Sequence, residues 1–153
     1  MEIERKFLIK EIPDLTNTVY TEIIQGYLSF DPEIRIRKDS DKYYITQKSN
    51  GDIAREEIEK EIDTITYNIL SNLTKENIIN KTRYFIAVNN QIAELNLYHG
   101  ELEGLAIVEV EFDSLDDASN FEIPIWFGEE VTYDESYKNK NIAKGSINLK
   151  RTK

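Results

Sequence analysis

Leu105-Ala106-Ile107-Val108-Glu109-Val110-Glu111-Phe112 decides how this chain is read. In an extended chain successive side chains point to opposite faces, so Val108, Val110 and Phe112 fall on one side and Glu109 and Glu111 on the other. The same period of two spreads outward through Glu2–Lys10, Glu22–Phe30, Glu33–Lys38, Lys42–Ser49, Ile53–Ile62, Ile78–Val88 and Gln91–Tyr98, all rich in Ile, Val, Tyr and Phe. That makes eight strands. The links Asp31-Pro32, Lys38-Asp39-Ser40-Asp41, Ser49-Asn50-Gly51-Asp52, Asn89-Asn90 and His99-Gly100 are short and polar, as antiparallel hairpins require. Ile65, Ile69, Leu70 and Leu73 at helical spacing predict a helix over Asp63–Lys75, and shorter helices are expected at Leu115–Phe121 and Glu135–Ala143. The expected class is α+β, mainly antiparallel β.

The length of 153 residues suits one ordinary domain, and no repeat or Pro/Gly/Ser-rich linker divides residues 1–153. A hydrophobic content of 40% excludes disorder, and 31% charged residues exclude a helical membrane bundle. The formal charge of -10 repels phosphate backbones over most of the surface, so no nucleic-acid partner is expected. The basic end Lys150-Arg151-Thr152-Lys153 is too short to reverse that. With no cysteine and only His99, thiolate zinc sites, cysteine nucleophiles and imidazole clusters are excluded; oxygen ligands remain. Met1-Glu-Ile-Glu-Arg-Lys-Phe7 is charged where a signal peptide needs an apolar region, and no apolar run reaches bilayer length. A cytoplasmic protein with no membrane partner is expected.

Sorting each strand by face gathers the charges into i, i+2 sets: Glu2/Glu4/Lys6, Arg35/Arg37, Thr46/Lys48, Arg55/Glu57/Glu59/Glu61, Lys81/Arg83, Glu94/Asn96 and Glu109/Glu111. One such set is an ordinary solvated face. Across seven strands, like charges at i, i+2 repel unless something of opposite sign binds them. If the strands close into an eight-stranded barrel with apolar sides under flanking helices, the sets line a polar tunnel wide enough for one small ligand. Lys6, Arg35, Arg37, Lys48, Arg55, Lys81 and Arg83 then suit a compact polyanion, a polyphosphate above all. Carboxylates beside a phosphate chain require hard divalent cations between them, so Mg²⁺ or Mn²⁺ is the expected cofactor.

These residues resemble the CYTH domain family, the triphosphate tunnel metalloenzymes. Its Glu-x-Glu-x-Lys pattern stands here as Glu2-Ile-Glu4-Arg-Lys6, followed in order by Gln25-Gly26-Tyr27-Leu28, Arg35-Ile-Arg37, Thr46-Gln-Lys48, Arg55-Glu-Glu57-Ile-Glu59, Lys81-Thr-Arg83-Tyr84, Glu109-Val-Glu111-Phe112 and Trp126-Phe-Gly-Glu-Glu-Val-Thr132. The chain is most similar to short bacterial members that hydrolyse inorganic triphosphate. The resemblance implies that Glu2, Glu4, Glu109 and Glu111 hold metal, with the seven bases on the phosphates. It leaves Glu59, with Glu57 and Glu61, either completing a second cation site or orienting bases. Asn96 stands where the family has Asp in a Glu-x-Asp strand, and Ser136 where it has Arg before Tyr-x-Asn. Asn96 with Glu94 is counted as support.

The expected reaction is hydrolysis of a linear triphosphate, with Glu4, Lys6, Lys81 and Glu111 carrying catalysis and a water held by a carboxylate or lysine attacking in line. Two rivals differ in product: a class IV-type adenylate cyclase making cyclic AMP, and a polyphosphate-binding module without turnover. The protein is expected as a monomer or homodimer. Trp126 and Phe127 are read as apolar anchors and His99 as a turn residue.

Overall fold

The computed structural model describes residues 1–145, the side chains of 75–77 excepted; the basic end at 150–153 lies outside them. The strands are β1 (Glu2–Ile9), β2 (Tyr20–Phe30), β3 (Glu33–Asp39), β4 (Lys42–Lys48), β5 (Ala54–Arg55), β6 (Glu57–Ile62), β7 (Lys75–Val88), β8 (Gln91–Tyr98), β9 (Ala106–Glu111) and β10 (Phe127–Glu130). They form one sheet in the order β10-β1-β9-β8-β7-β2-β3-β4-β6, with β5 on β1. β5 and β6 are a single expected strand broken at Glu56. β6 pairs with β4 through Thr46↔Glu59 and Lys48↔Glu57, whereas β5 pairs with β1 through Glu2↔Arg55 and Ile3↔Ala54. One segment thus brings the sheet back to its first strand and nearly closes a barrel. β10, not expected from the sequence, covers the second half of β1 at Phe7↔Glu130 and Ile9↔Phe127.

The helices are α1 (Thr64–Ser71), α2 (Leu115–Ser119) and α3 (Asn139–Ala143). The Asp63 side chain accepts from Thr66 N and starts α1 where expected, but the helix stops at Ser71 and Lys75 already belongs to β7. Its apolar positions do not enter the core: Ile65, Ile69 and Leu73 are exposed, and Tyr67 docks the helix by packing at a tilt against Tyr43 at 4.7 Å. The helix expected over Glu135–Ala143 is split. Asp134 caps a short 3-10 turn at Glu135–Tyr137, Lys138 is extended, and α3 follows.

Outside the barrel, Ile3, Phe7, Leu95, Val108, Val110 and Phe112 pack with Ala118 of α2 and with Phe127, the apolar face expected of these strands. Phe127 packs at a tilt against Phe7 at 5.0 Å and Trp126 meets Phe127 edge-on at 4.6 Å, so both anchor the wall. Replacing Val110 by Ala is expected to lower stability by about 2 kcal/mol through lost methyl groups and the void they leave. A fall of about 4–8 °C in melting temperature with unchanged activity per folded molecule is the expected readout.

Inside, each inward row turns from charged to apolar along its strand: Glu2, Glu4 and Lys6 lead to Leu8, Glu111 and Glu109 to Ile107, Glu94 and Asn96 to Tyr98, Arg83 and Lys81 to Ile79. Leu8, Tyr27, Ile79, Tyr98, Leu105 and Ile107 join Tyr137, Ile142 and Ala143 in a second buried cluster that fills one end of the barrel.

Candidate active site inside the barrel

The other part of the interior is a cavity of about 680 Å³. Its walls hold Glu2, Glu4, Lys6, Arg35, Arg37, Lys48, Arg55, Glu57, Glu59, Arg83, Glu94, Glu109 and Glu111, so thirteen of the side chains singled out by alternation converge on one space. Four do not line it, the first being Thr46, which is buried and donates to Glu59. Glu61 is exposed at the end of β6, whereas Lys81 and Asn96 are wholly buried behind the wall. The bases were expected to project into a solvated tunnel; Lys81 instead sits dry, since its row has passed into the tightly packed part of the barrel. His99 lies outside the cavity, its Nε2 sharing a hydrogen bond of 2.7 Å with Thr82 Oγ1.

At the cavity's more exposed end, antiparallel register sets Glu4 opposite Glu111. With Glu2 they bring three carboxylate oxygens within 4.8 Å of one another. Burial, then Glu109 and Glu2, pushes the Glu4 carboxyl up to about 7; burial, then Glu94, Glu2 and Glu4, does the same for Glu111. Burial works against ionised Glu2 as well, but Lys48 at 3.1 Å, a hydrogen bond with Glu57 and nearby Arg55 hold it below the ordinary carboxylate range. Protons are drawn onto Glu4 and Glu111 because burial and the neighbouring acids outweigh the bases nearby, which is an electrostatic condition that a bound cation relieves.

Glu109 lies two residues from Glu111 on the same face yet outside that trio. Burial alone would raise it, but Lys6, Lys81, Arg83 and Lys48 drive it far below the carboxylate range. Glu59 is outside the trio too: it accepts from Thr46 Oγ1 at 2.7 Å and faces Arg37 at 3.5 Å. Deeper in, the bases crowd one another. Burial, then Arg35, lowers both Arg37 and Lys48, and burial, then Arg83, drives Lys81 well below the ordinary lysine value. Gln25 Nε2, Arg35 Nε, Arg37 Nε and Lys81 Nζ are buried donors with no hydrogen-bond acceptor in the protein. Buried donors are rarely left unpaired, and two of these, on Arg35 and Arg37, belong to the cavity wall, where an anionic acceptor would satisfy them.

The supporting residues were less visible in the sequence. Glu33 is buried and accepts from Arg55 Nη1 at 3.1 Å; only its place two residues before Arg35 could have flagged it. Lys138 and Asn139 reach the cavity from the C-terminal segment, and Asp39 from the end of β3. Asn96 is a strut. Its Oδ1 accepts from Arg83 Nε at 2.9 Å, while its Nδ2 donates to Glu109 Oε1 and Ile107 O at 3.1 Å and to Glu94 O at 3.2 Å. An Asp here would set an oxygen against three acceptors. Asn96→Asp is therefore expected to cost about 1–3 kcal/mol, read as a lower melting temperature in neutral buffer and recovery in acid.

The family profile of the CYTH domain matches residues 1–141. The chain belongs to the CYTH domain family. An inorganic triphosphatase of Nitrosomonas europaea is 42% identical over 146 residues, covering 93% of this chain and 96% of its own length. An inorganic triphosphatase of Acetivibrio thermocellus is 36% identical over 149 residues, covering 94% and 93%. The crystal structure of an inorganic triphosphatase, 40% identical, superposes with a TM-score of 0.71 over 94% of this chain and 95% of that one. A Hippeastrum protein described by its dominant triphosphatase activity shares the fold alone, at 16% identity and a TM-score of 0.59 over 78% of this chain and 83% of its own. Among the described residues of this CYTH domain no helix is long and apolar enough to cross a membrane.

Proposed function

We propose that the chain is a divalent-metal-dependent triphosphatase whose preferred substrate is inorganic tripolyphosphate. The observation that carries this reading is the cavity wall that joins the acceptor-less donors of Arg35 and Arg37 to the trio Glu2, Glu4 and Glu111. The donors lack anionic oxygens and the acids lack a cation; a metal triphosphate supplies both. Three carboxylates at this spacing suit an oxygen-loving ion such as Mg²⁺ or Mn²⁺, which when bound there neutralises phosphate charge.

Lys6, Arg35, Arg37, Lys48, Arg55 and Arg83 hold the phosphate oxygens, and their ammonium and guanidinium groups keep donating as charge develops on the transferred group. They are positioned before substrate arrives, Arg55 by Glu33 and Arg83 by Asn96, so little reorganisation is needed at reaction. Lys81, behind the wall, adds its charge to the field of Arg83 and Glu109, which face the substrate. With tripolyphosphate, ATP, GTP and thiamine triphosphate offered with Mg²⁺ or Mn²⁺, tripolyphosphate is expected to show the highest kcat/KM by about tenfold or more, yielding orthophosphate and pyrophosphate. Cyclic AMP from ATP would make the protein a cyclase. Binding without turnover would make it a capture module.

A further inference from the structure

Helix α1 leaves unused the face that its own spacing marks as apolar. It packs on the outside of β3 and β4, where Tyr67 meets Tyr43, and none of its residues lines the cavity. Ile65 at 72%, Ile69 at 61% and Leu73 at 61% exposure stay in solvent, spaced four apart in a single ridge. Leu73 N still donates to Leu70 O, so the ridge runs on past the end of the helix. Thr74 Cγ2 and Ile78 Cδ1 both close over Gly26 of β2, which places exposed Ile78 beside the end of the ridge. Ile24 follows on the same face of β2.

This strip is also without charge. From Thr64 to Thr74 none of the eleven residues is charged, in a chain where 31% are. The surface of a small soluble domain ordinarily carries roughly 25–35% Lys, Arg, Asp and Glu, so a helix kept for solvent would include several. Contiguous exposed aliphatics on an uncharged element mark a face that is covered in use.

Two observations say what covers it. The chain has a formal charge of -10, so two copies repel along most approaches, and here their surfaces touch without apposing like charges. A ridge of three aliphatics at equal spacing is also its own complement. A two-fold axis through Ile69 sets Ile65 of one copy against Leu73 of the other and the reverse, the pattern of an isologous contact. An acidic or basic partner of another kind finds no charge on the strip to recognise.

We propose that the chain forms a two-fold dimer through the ridge of Ile65, Ile69 and Leu73, with Ile78 and Ile24 at its margin. The face is small beside the roughly 800 Å² per partner of a standard interface, so the dimer is reversible, with a dissociation constant on the order of 10 µM. The proposal goes beyond the triphosphatase reading and does not depend on it, because the ridge lies outside the barrel and leaves both cavities open.

Sedimentation of the full chain between about 1 and 300 µM tests this, with the average mass expected to rise from one chain toward two. Ile69→Lys sets two ammoniums at the axis and is expected to weaken association by at least about 30-fold, with melting temperature and tripolyphosphate turnover unchanged. Ile125→Lys, at an exposed position beside β10, should sediment like the wild type. Since the chain has no cysteine, single-cysteine variants report the contact directly: diamide should link Ile69→Cys into a disulfide dimer at least about tenfold faster than Ile125→Cys. A wild type that stays monomeric to about 300 µM overturns the proposal, and its flotation with phosphatidylcholine vesicles would assign the strip to a lipid surface instead. A dimer that survives Ile69→Lys and leaves Ile69→Cys unlinked overturns it too, since two copies then meet elsewhere.

Discussion

Replacing Lys81 by methionine is expected to raise the melting temperature by several degrees while reducing turnover by on the order of 10²- to 10³-fold. The two effects have one cause. Lys81 is 0% exposed and its Nζ donates no hydrogen bond in the protein, lying over the Tyr98 ring at 5.5 Å. Burial, then the neighbouring Arg83, lowers its pKa well below 10.5, and a base with a depressed folded pKa destabilises the fold at every pH where the unfolded chain holds the proton. Methionine keeps the length and removes the charge, which for a buried ion is neutral or stabilising by roughly 1–4 kcal/mol. The same change removes the charge that Glu109 and Arg83 of the cavity wall feel, and the disturbance is expected to cost about as much as one main transition-state contact. The stability gain should narrow as the pH is raised toward 10.5, because the wild-type cost disappears there. A variant that melts lower at neutral pH, or that turns over normally, would show that Lys81 is a packing residue.

Glu4→Gln and Glu111→Gln are expected to reduce turnover by about 10²-fold or more and to remove most of the rise in melting temperature that Mg²⁺ gives the wild type. Their pH dependence has a definite sign. Both carboxyls are raised from 4.5 to about 7, so the stability they contribute is fully present below 4.5 and is lost as the pH rises through about 7. Metal-free wild type should therefore lose on the order of 10 °C between those limits through Glu4. Glu4→Gln should flatten that slope, and saturating Mg²⁺ should suppress it by binding the ionised form. Normal turnover of both variants in excess chelator would remove the metal from the mechanism.

Alternation alone made the barrel and most of its lining readable. Charges at i, i+2 on seven strands have one shared interior to face, and thirteen of the side chains so identified do face it. What alternation does not encode is depth. Glu109 and Glu111 are identical letters on one face, yet the first is held far down by four cations and the second pushed up by other acids, a difference set by how far each lies along the barrel. Lys81 and Arg83 differ for the same reason. Residues that arrive from distant segments were equally hidden: Lys138 meets Gly51 across 87 positions, and nothing local to either marks the contact. The helix over Asp63–Lys75 had its start right and its apolar face exposed, because that face depends on what packs against it and not on its own spacing.

The break at Glu56 also governs how the barrel comes apart. Around most of the circumference neighbouring strands are joined by long ladders, but between β5 and β1 the hoop is held by Glu2↔Arg55, Ile3↔Ala54 and the single bond from Glu4 N to Ile53 O at 2.9 Å. Glu2 and Glu4 stand on that clasp and on the acidic trio at once. The sheet can unroll there while its other ladders stay intact, a local opening far less costly than global unfolding. Whatever occupies the trio acts as a rivet on the seam, so breathing of the barrel and loading of its acidic end are mechanically one event.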